Sequence, residues 1–303
     1  LKEKFIKGGY TFTLINTKEV EKPKGAITFK NDVGMAPAVY IDDIVAFPGV
    51  PKELYNMLPK FLDWYVKEKK ILDDEIYIKD LITYGIAESL LDEAVREFFT
   101  EEGIYYEFLV KDYGILIRLQ SKMSNKNKVE KIVKKIYNKI GEFIFGEDND
   151  RLEKKVVELL KKLNMNISTA ESCTGGMLAS KLIDVPGISE VFYEGVVSYS
   201  NEAKINRLGV RKEILDKYGA VSEEVAKEMV MGLTTDVALS TTGIAGPDGG
   251  SEEKPVGLVY MGIRIKDKIY VEKRVFRGDR NKVRERTVSH TLFTLIKILN
   301  EDV

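Results

Sequence analysis

"RLEKKVVELLKKLNMNISTAESCTGG", Arg151 to Gly176, carries the chain from one secondary-structure period into another and back. "RLEKKVVELLKKLN" reads as a helix and "MNIST" as a strand. The octet "TAESCTGG", Thr169 to Gly176, then leads into a new helix from about Gly176. It places the chain's only cysteine, Cys173, beside Ser172. A polar octet between strand and helix can hold a nucleophile, cradle an anion or simply turn the chain.

The pattern continues downstream. "EVFYEGVVSYS" (190–200) reads as a long strand, followed by helices at about 211–218 and 222–235, the second capped by Ser222. "DVALSTTGIAGPDGG" (236–250) is an apolar strand running into glycines. "GLVYMGIRI" and "IYVEKRVF" form a hairpin around Lys266-Asp267-Lys268, and a last helix starts near Asp279. Strands alternating with helices predict a three-layer αβα domain over residues 149–303.

Upstream, residues 73–148 have a βαββα rhythm. "EIYIKDLITY", "ESLLDEAVREFF", "IYYEFLV" and "GILIRLQ" are followed by a basic helix in "KVEKIVKKIYNKIGEFIF", with Lys111, Asp112 and Tyr113 linking the two middle strands. RNA-binding KH folds use related elements. Their GxxG clamp is missing here, so the basic helix reads as a solvated face and no nucleic-acid partner is expected. Residues 1–72 hold a hairpin turning at Asp42-Asp43 and a helix starting near Pro51. They form only a partial α/β segment.

Composition narrows the function. The 303 residues are 44% hydrophobic and 31% charged with a formal net charge of −1, as expected of a globular chain without a basic surface. No run of about 18 apolar residues suggests a membrane span, and no secretory signal pattern opens the chain. A cytoplasmic location is expected, since Cys173 has no disulfide partner. The many Lys and Glu fit a heat-adapted surface. With one cysteine and one histidine the chain lacks the ligands for a Cys/His zinc site, and neither a metal nor a cofactor is expected. A Ser-His-Asp triad would need His290, which lies on the amphipathic pattern of the last helix and reads as structural.

The chemistry must then use another base. Ser172, where a strand ends and Gly175-Gly176 open a helix, suits a nucleophile with nearby N–H donors, although Ser172 or Thr174 could equally cap that helix. Cys173 needs an electropositive, basic neighbour to become a thiolate and ranks behind Ser172, with small-residue packing as its alternative. Lysine serves as a base when burial lowers its pKa. Lys254 in "SEEK" has the S-x-x-K spacing but precedes Pro255 and follows Glu252-Glu253. Lys204 in "YSNEAK" is the other option, and by itself reads as an ordinary exposed lysine. The loop Gly243–Gly250, "GIAGPDGG", follows a strand and fits neither a Walker A nor a GxGxxG spacing. Its backbone N–H groups suit an anion, and a surface turn is the alternative.

"TAESCTGG", "GVVSYSNEAK", "GAVSEEVAKEM", "GIAGPDGGSEEKPVG" and "FRGDR" occur in the order seen in the CinA C-terminal domain, the nicotinamide mononucleotide (NMN) amidohydrolase family. Residues 149–303 resemble that domain. "TYGIAESLLDEAV" and "GILIRLQ" resemble its KH-like connecting domain, and "NDVGMAPAVYIDDIVAFPGVPKEL" the last third of a molybdopterin-binding-like N-terminal domain. The resemblance implies a Ser–Lys mechanism with Ser172 and Lys204 at the matching positions, converting NMN to nicotinic acid mononucleotide and ammonia. Arg280 matches a substrate-contact position, for phosphate or carbonyl. Thr174, Gly175 and the 243–250 loop, with Gly243 and Gly246, become candidate anion and oxyanion donors, while Tyr199 and Asn201 would orient ring and ribose. A homo-oligomer, a dimer, is expected.

Long CinA proteins begin with a further stretch that holds a Gly-Gly-Thr-Gly-type anion loop and acidic residues, and this sequence opens at Leu1 without them. Metal-dependent ADP-ribose pyrophosphatase activity, attributed to the intact N-terminal domain, is therefore expected to be lost. A non-catalytic binding or assembly module, in which "TAESCTGG" only caps a helix, is the third reading.

Overall fold

The computed structural model describes residues 11, 13, 18, 21–70, 75–111 and 113–301. Asp112 of the expected hairpin link, and much of the 1–72 segment before residue 21, lie outside the described residues. The chain divides into two units, Leu1–Asp74 and Glu75–Val303.

In the first unit β1 (Ile27–Phe29), β2 (Ala38–Ile41) and β3 (Ile44–Ala46) form an antiparallel meander. Asp42 and Asp43 both take positive φ, as a two-residue turn matched to strand twist requires. Helix α1 (Pro51–Glu68) starts at a proline, whose fixed φ suits the first helical position. Its Met57 and Phe61 cover Phe29, Ala38 and Tyr40.

The second unit opens with β4 (Ile76–Thr83), α2 (Glu88–Val95), β5 (Ile104–Lys111), β6 (Gly114–Lys122), α3 (Lys126–Ile140) and β7 (Ile144–Glu147). The sheet order is β5-β6-β4-β7, antiparallel throughout. Here the expected βαββα rhythm gains a strand. Ile144–Glu147 leaves the helix and pairs with β4, so "EFIF" only partly continues the basic helix. The buried stripe of α3, Val129, Ile132, Val133, Ile136 and Ile140, has the 3–4 spacing of one helix face, and its lysines point away from it.

Then follow α4 (Leu152–Leu163), β8 (Ile167–Glu171), α5 (Met177–Ile183), β9 (Phe192–Val197), α6 (Asn201–Leu208), α7 (Lys212–Tyr218), α8 (Glu223–Met231), β10 (Val237–Gly243), β11 (Leu258–Ile265), β12 (Lys268–Val275) and α9 (Arg280–Glu301). The five-stranded sheet runs β12-β11-β10-β8-β9, with β9, β8 and β10 parallel and β11 and β12 antiparallel. Helices α4, α5 and α9 bury one face around Leu160, Leu178, Leu239 and Leu295. The other face, at Ala170 and Ala238, is covered by Leu208, Leu215, Val225 and Met229 from α6–α8. This is the three-layer arrangement expected of an alternating pattern.

Close approach on the second face depends on one glycine: a Cβ on Gly262 would sit 2.7 Å from the Ala226 carbonyl of α8. The middle and C-terminal sheets share a core within this unit. Ile82 and Phe145 join the cluster of Leu152 and Leu292, and Tyr84 packs on Phe293 at 4.9 Å between ring centroids.

The expected strand 190–200 is shorter than its pattern. Val191 ends a short 3-10 turn, and Ser198–Ser200 leave the sheet to cap α6, the Ser200 hydroxyl accepting the Ala203 N–H. Helix α8 likewise ends at Met231, before the expected 235, and Ser222 caps it through the Val225 N–H.

Candidate active site

The carboxyl ends of β9, β8 and β10 lie side by side, and each releases a loop flagged in the sequence. The chain leaves β8 toward one face of the sheet and β9 toward the other, and ligands characteristically bind at such a reversal. Ser172 follows β8, and its N–H donates to the Thr241 carbonyl of β10 at 2.9 Å. Ser198 follows β9, and its N–H donates to the Glu171 carbonyl at 2.8 Å. Each loop root is thus tied to the strand beside its own, Ser172 to β10 and Ser198 to β8.

Lys204 departs from the expectation of an exposed lysine. It lies in the first turn of α6 with its side chain directed inward, and only 1% of its surface is exposed. Its Nζ is 3.1 Å from Ser172 Oγ, 2.8 Å from the Ser198 carbonyl and 3.2 Å from the Tyr199 carbonyl. Burial holds the ammonium below its usual pKa, opposed only in part by Cys173. The two carbonyls can only accept hydrogen bonds. They take two N–H bonds and leave the third position of the nitrogen, lone pair or proton, for Ser172 Oγ.

Cys173 is buried among Ala245, Val259, Met261 and Val283, and burial pushes its thiol up to about 11. It packs as a small apolar residue. Lys254 Nζ donates to the Tyr218 and Val221 carbonyls at 2.7 and 2.8 Å, while Ser251 Oγ accepts the Lys254 N–H; "SEEK" closes a turn and ties two loops. His290 accepts from Arg274 Nε at 3.2 Å and packs beside Tyr84 and Phe276.

The remaining candidates divide. Arg280, the first residue of α9, donates to the Gly246 carbonyl at 2.8 Å and to Tyr199 Oη at 3.0 Å, so its guanidinium joins the loops after β9 and β10. Asn201 opens α6 on the exposed side of the same segment. Gly243 serves packing, because a Cβ there would meet the Leu258 carbonyl at 2.7 Å. The Thr174 hydroxyl is buried against Thr241 Oγ1 at 2.6 Å, and the Gly175 N–H closes a turn on the Ser172 carbonyl. Both are engaged within the protein. Gly175 and Gly176 have φ of +60° and +94°, which explains why the octet ends in two glycines.

Neither Ser172 nor Thr174 caps α5. The cap is Glu171, a residue absent from the sequence-based candidates: its carboxylate accepts the N–H groups of Gly176 and Leu178 at 2.9 and 3.0 Å and of Ala179 at 2.8 Å. Arg284 was missed too; its Nη2 donates to the Thr174 carbonyl at 2.8 Å and holds the octet to α9. Sequence signals for both were slight, an acid at a strand end and an arginine one turn into a helix. Among the described residues no three His, Cys, Asp or Glu side chains group to hold a metal ion, and no helix is long and apolar enough to cross a membrane.

Residues 149–299 match the family model described as the CinA C-terminal domain, and residues 79–146 that of the damage-inducible protein CinA KH domain. A CinA-like protein of Fusobacterium nucleatum is 65% identical over 290 residues, covering 95% of this chain and 72% of the relative. A putative competence-damage inducible protein of Clostridium beijerinckii is 43% identical over 298 residues, covering 94% and 72%. Among solved structures, the competence/damage inducible protein CihA from Agrobacterium tumefaciens is 39% identical with a TM-score of 0.48, covering 49% of this chain and 93% of that one. With the Fusobacterium and Clostridium relatives matching along nearly its whole length at 65% and 43% identity, the chain belongs to the CinA family.

Proposed function

We propose that the β8–β9–β10 loops form a nicotinamide mononucleotide deamidase, with Ser172 as nucleophile and Lys204 as general base. The observation that carries the reading is the buried Lys204 amine at 3.1 Å from Ser172 Oγ, with its other two hydrogen-bond positions occupied by carbonyls. A lysine depressed by burial spends more of its time neutral at physiological pH, as a base must.

Ser172 Oγ attacks the carboxamide carbon as its proton passes to Lys204 Nζ. The tetrahedral adduct breaks its C–N bond, and Lys204 returns the proton to the departing NH2 group, which leaves as ammonia. The acyl group is now an ester on Ser172. Water attacks it, Lys204 takes the water proton, the Ser172 C–O bond breaks, and the proton returns to Oγ. Nicotinic acid mononucleotide leaves as the carboxylate, its acid proton passing to the released ammonia as ammonium, and one water is consumed per turnover.

Arg280 binds the substrate phosphate by exchanging its bonds to Tyr199 Oη and Gly246 for phosphate oxygens, which its planar fork matches. Tyr199 and Asn201 orient the ring and ribose. The test is ammonia release from NMN by the whole chain, measured with and without EDTA. Stoichiometric ammonia and nicotinic acid mononucleotide, unaffected by EDTA, supports the reading; absence of ammonia rejects it.

A further inference from the structure

We infer that Glu171 is a positioning residue for Ser172, holding the nucleophile loop in register through its buried carboxylate; the inference rests on the deamidase reading above. Glu171 is 1% exposed and has no cationic side chain within ion-pair distance among the described residues. A carboxylate in that position needs strong donors. It finds three in the backbone, at Gly176, Leu178 and Ala179.

Ordinary helix capping does not require this arrangement. A cap normally comes from Ser, Thr, Asp or Asn at the N-cap position itself. That position here is Gly176, at positive φ and without a side chain, and the acid reaches it from five residues upstream. The carboxylate therefore closes a ring of chain from residue 171 to residue 179, and Ser172 is the first residue inside it. Two further bonds fix the ring, the Gly175 N–H to the Ser172 carbonyl and Arg284 to the Thr174 carbonyl.

The same residue reaches the other half of the dyad through its main chain. The Glu171 carbonyl accepts the Ser198 N–H, and the Ser198 carbonyl accepts from Lys204 Nζ. Glu171 thus stands between the nucleophile loop and the segment from which Lys204 takes its orientation. A side-chain substitution removes only the first of these links, which makes the role testable separately from the sheet.

Glu171→Gln keeps the size of the side chain but turns an NH2 group toward backbone N–H donors, so at least one of the three bonds is lost. Because the clamp sets the position of Ser172 and not the affinity for substrate, kcat with NMN should fall by about 10²-fold, the effect of a displacement on the order of 1 Å. KM should stay within about twofold, the sign that ground-state binding is untouched. Far-ultraviolet circular dichroism should be that of the wild type. Wild-type kcat in Glu171→Gln would overturn the inference, as would a rise in KM at constant kcat. Failure of the variant to fold would also overturn it, since the carboxylate would then serve the stability of the domain. A wild-type chain that releases no ammonia from NMN would instead remove the deamidase reading, and the wild type alone reveals that outcome.

Discussion

Lys204 Nζ and Ser172 Oγ lie 3.1 Å apart although they belong to different segments, because Ser172 directly follows β8 and Lys204 sits in the first turn of the helix that follows the neighbouring β9. Burial lowers the Lys204 pKa from its ordinary 10.5, and the base form is the unprotonated amine. The rate constant kcat/KM should therefore rise with pH along a limb whose midpoint lies below 10.5. The same shift bears on stability. The unfolded chain binds the Lys204 proton more tightly than the folded one, so stability rises with pH between the folded pKa and 10.5. Lys204→Met should flatten that rise; denaturant titrations from pH 7 upward measure it, and an unchanged slope would show that the buried amine carries no shift.

Ser172→Ala should abolish deamidation while Cys173→Ala keeps most of it. The Cys173 thiol is raised to about 11 by burial and is packed against Met261 and Val283, so it offers almost no thiolate at neutral pH. Ammonia assays of the two variants decide the matter. A dead Cys173→Ala enzyme beside an active Ser172→Ala enzyme would reverse the assignment.

Arg280→Lys retains the charge but not the fork that spans Tyr199 Oη and Gly246. The KM for NMN should increase by about tenfold, equivalent to about 1.4 kcal/mol of binding. The KM for the corresponding riboside, which lacks the phosphate, should change little. Equal losses on the two substrates would separate Arg280 from the phosphate.

Much of the scaffold was legible because burial imposes a period. Residues Val129 to Ile140 repeat at 3–4 spacing against one sheet, and the apolar Val237, Ala238 and Leu239 open a strand buried from Val237 to Thr242 because β10 is covered on both faces. The site was legible only in part. Motif order pointed to Ser172 and Lys204, but no local pattern separates a lysine turned into the protein from one turned to solvent. Glu171 was hidden for a related reason: its role lies in backbone N–H groups five to eight residues away, which carry no sequence signal. Strand β7 escaped because "EFIF" directly follows a helix, and only pairing with β4 makes it a strand.

Gly262 tests the packing that supports the site. An alanine there directs its methyl at the Ala226 carbonyl and at Ser240 Oγ, so α8 must move off the sheet. Gly262→Ala should cost about 1–3 kcal/mol, the usual range for overpacking. Chemical denaturation checks it, and unchanged stability would mean that α8 approaches less closely than described.

The central claim, that Lys204 moves the proton of Ser172, is tested most directly by kcat of Lys204→Arg with NMN. Arginine keeps a positive charge but cannot give up its proton near neutral pH. The account predicts a fall of about 10²–10⁴-fold, the usual contribution of general acid–base catalysis, in a variant that remains folded. Near-normal turnover would contradict it and leave Lys204 a purely electrostatic neighbour of Ser172.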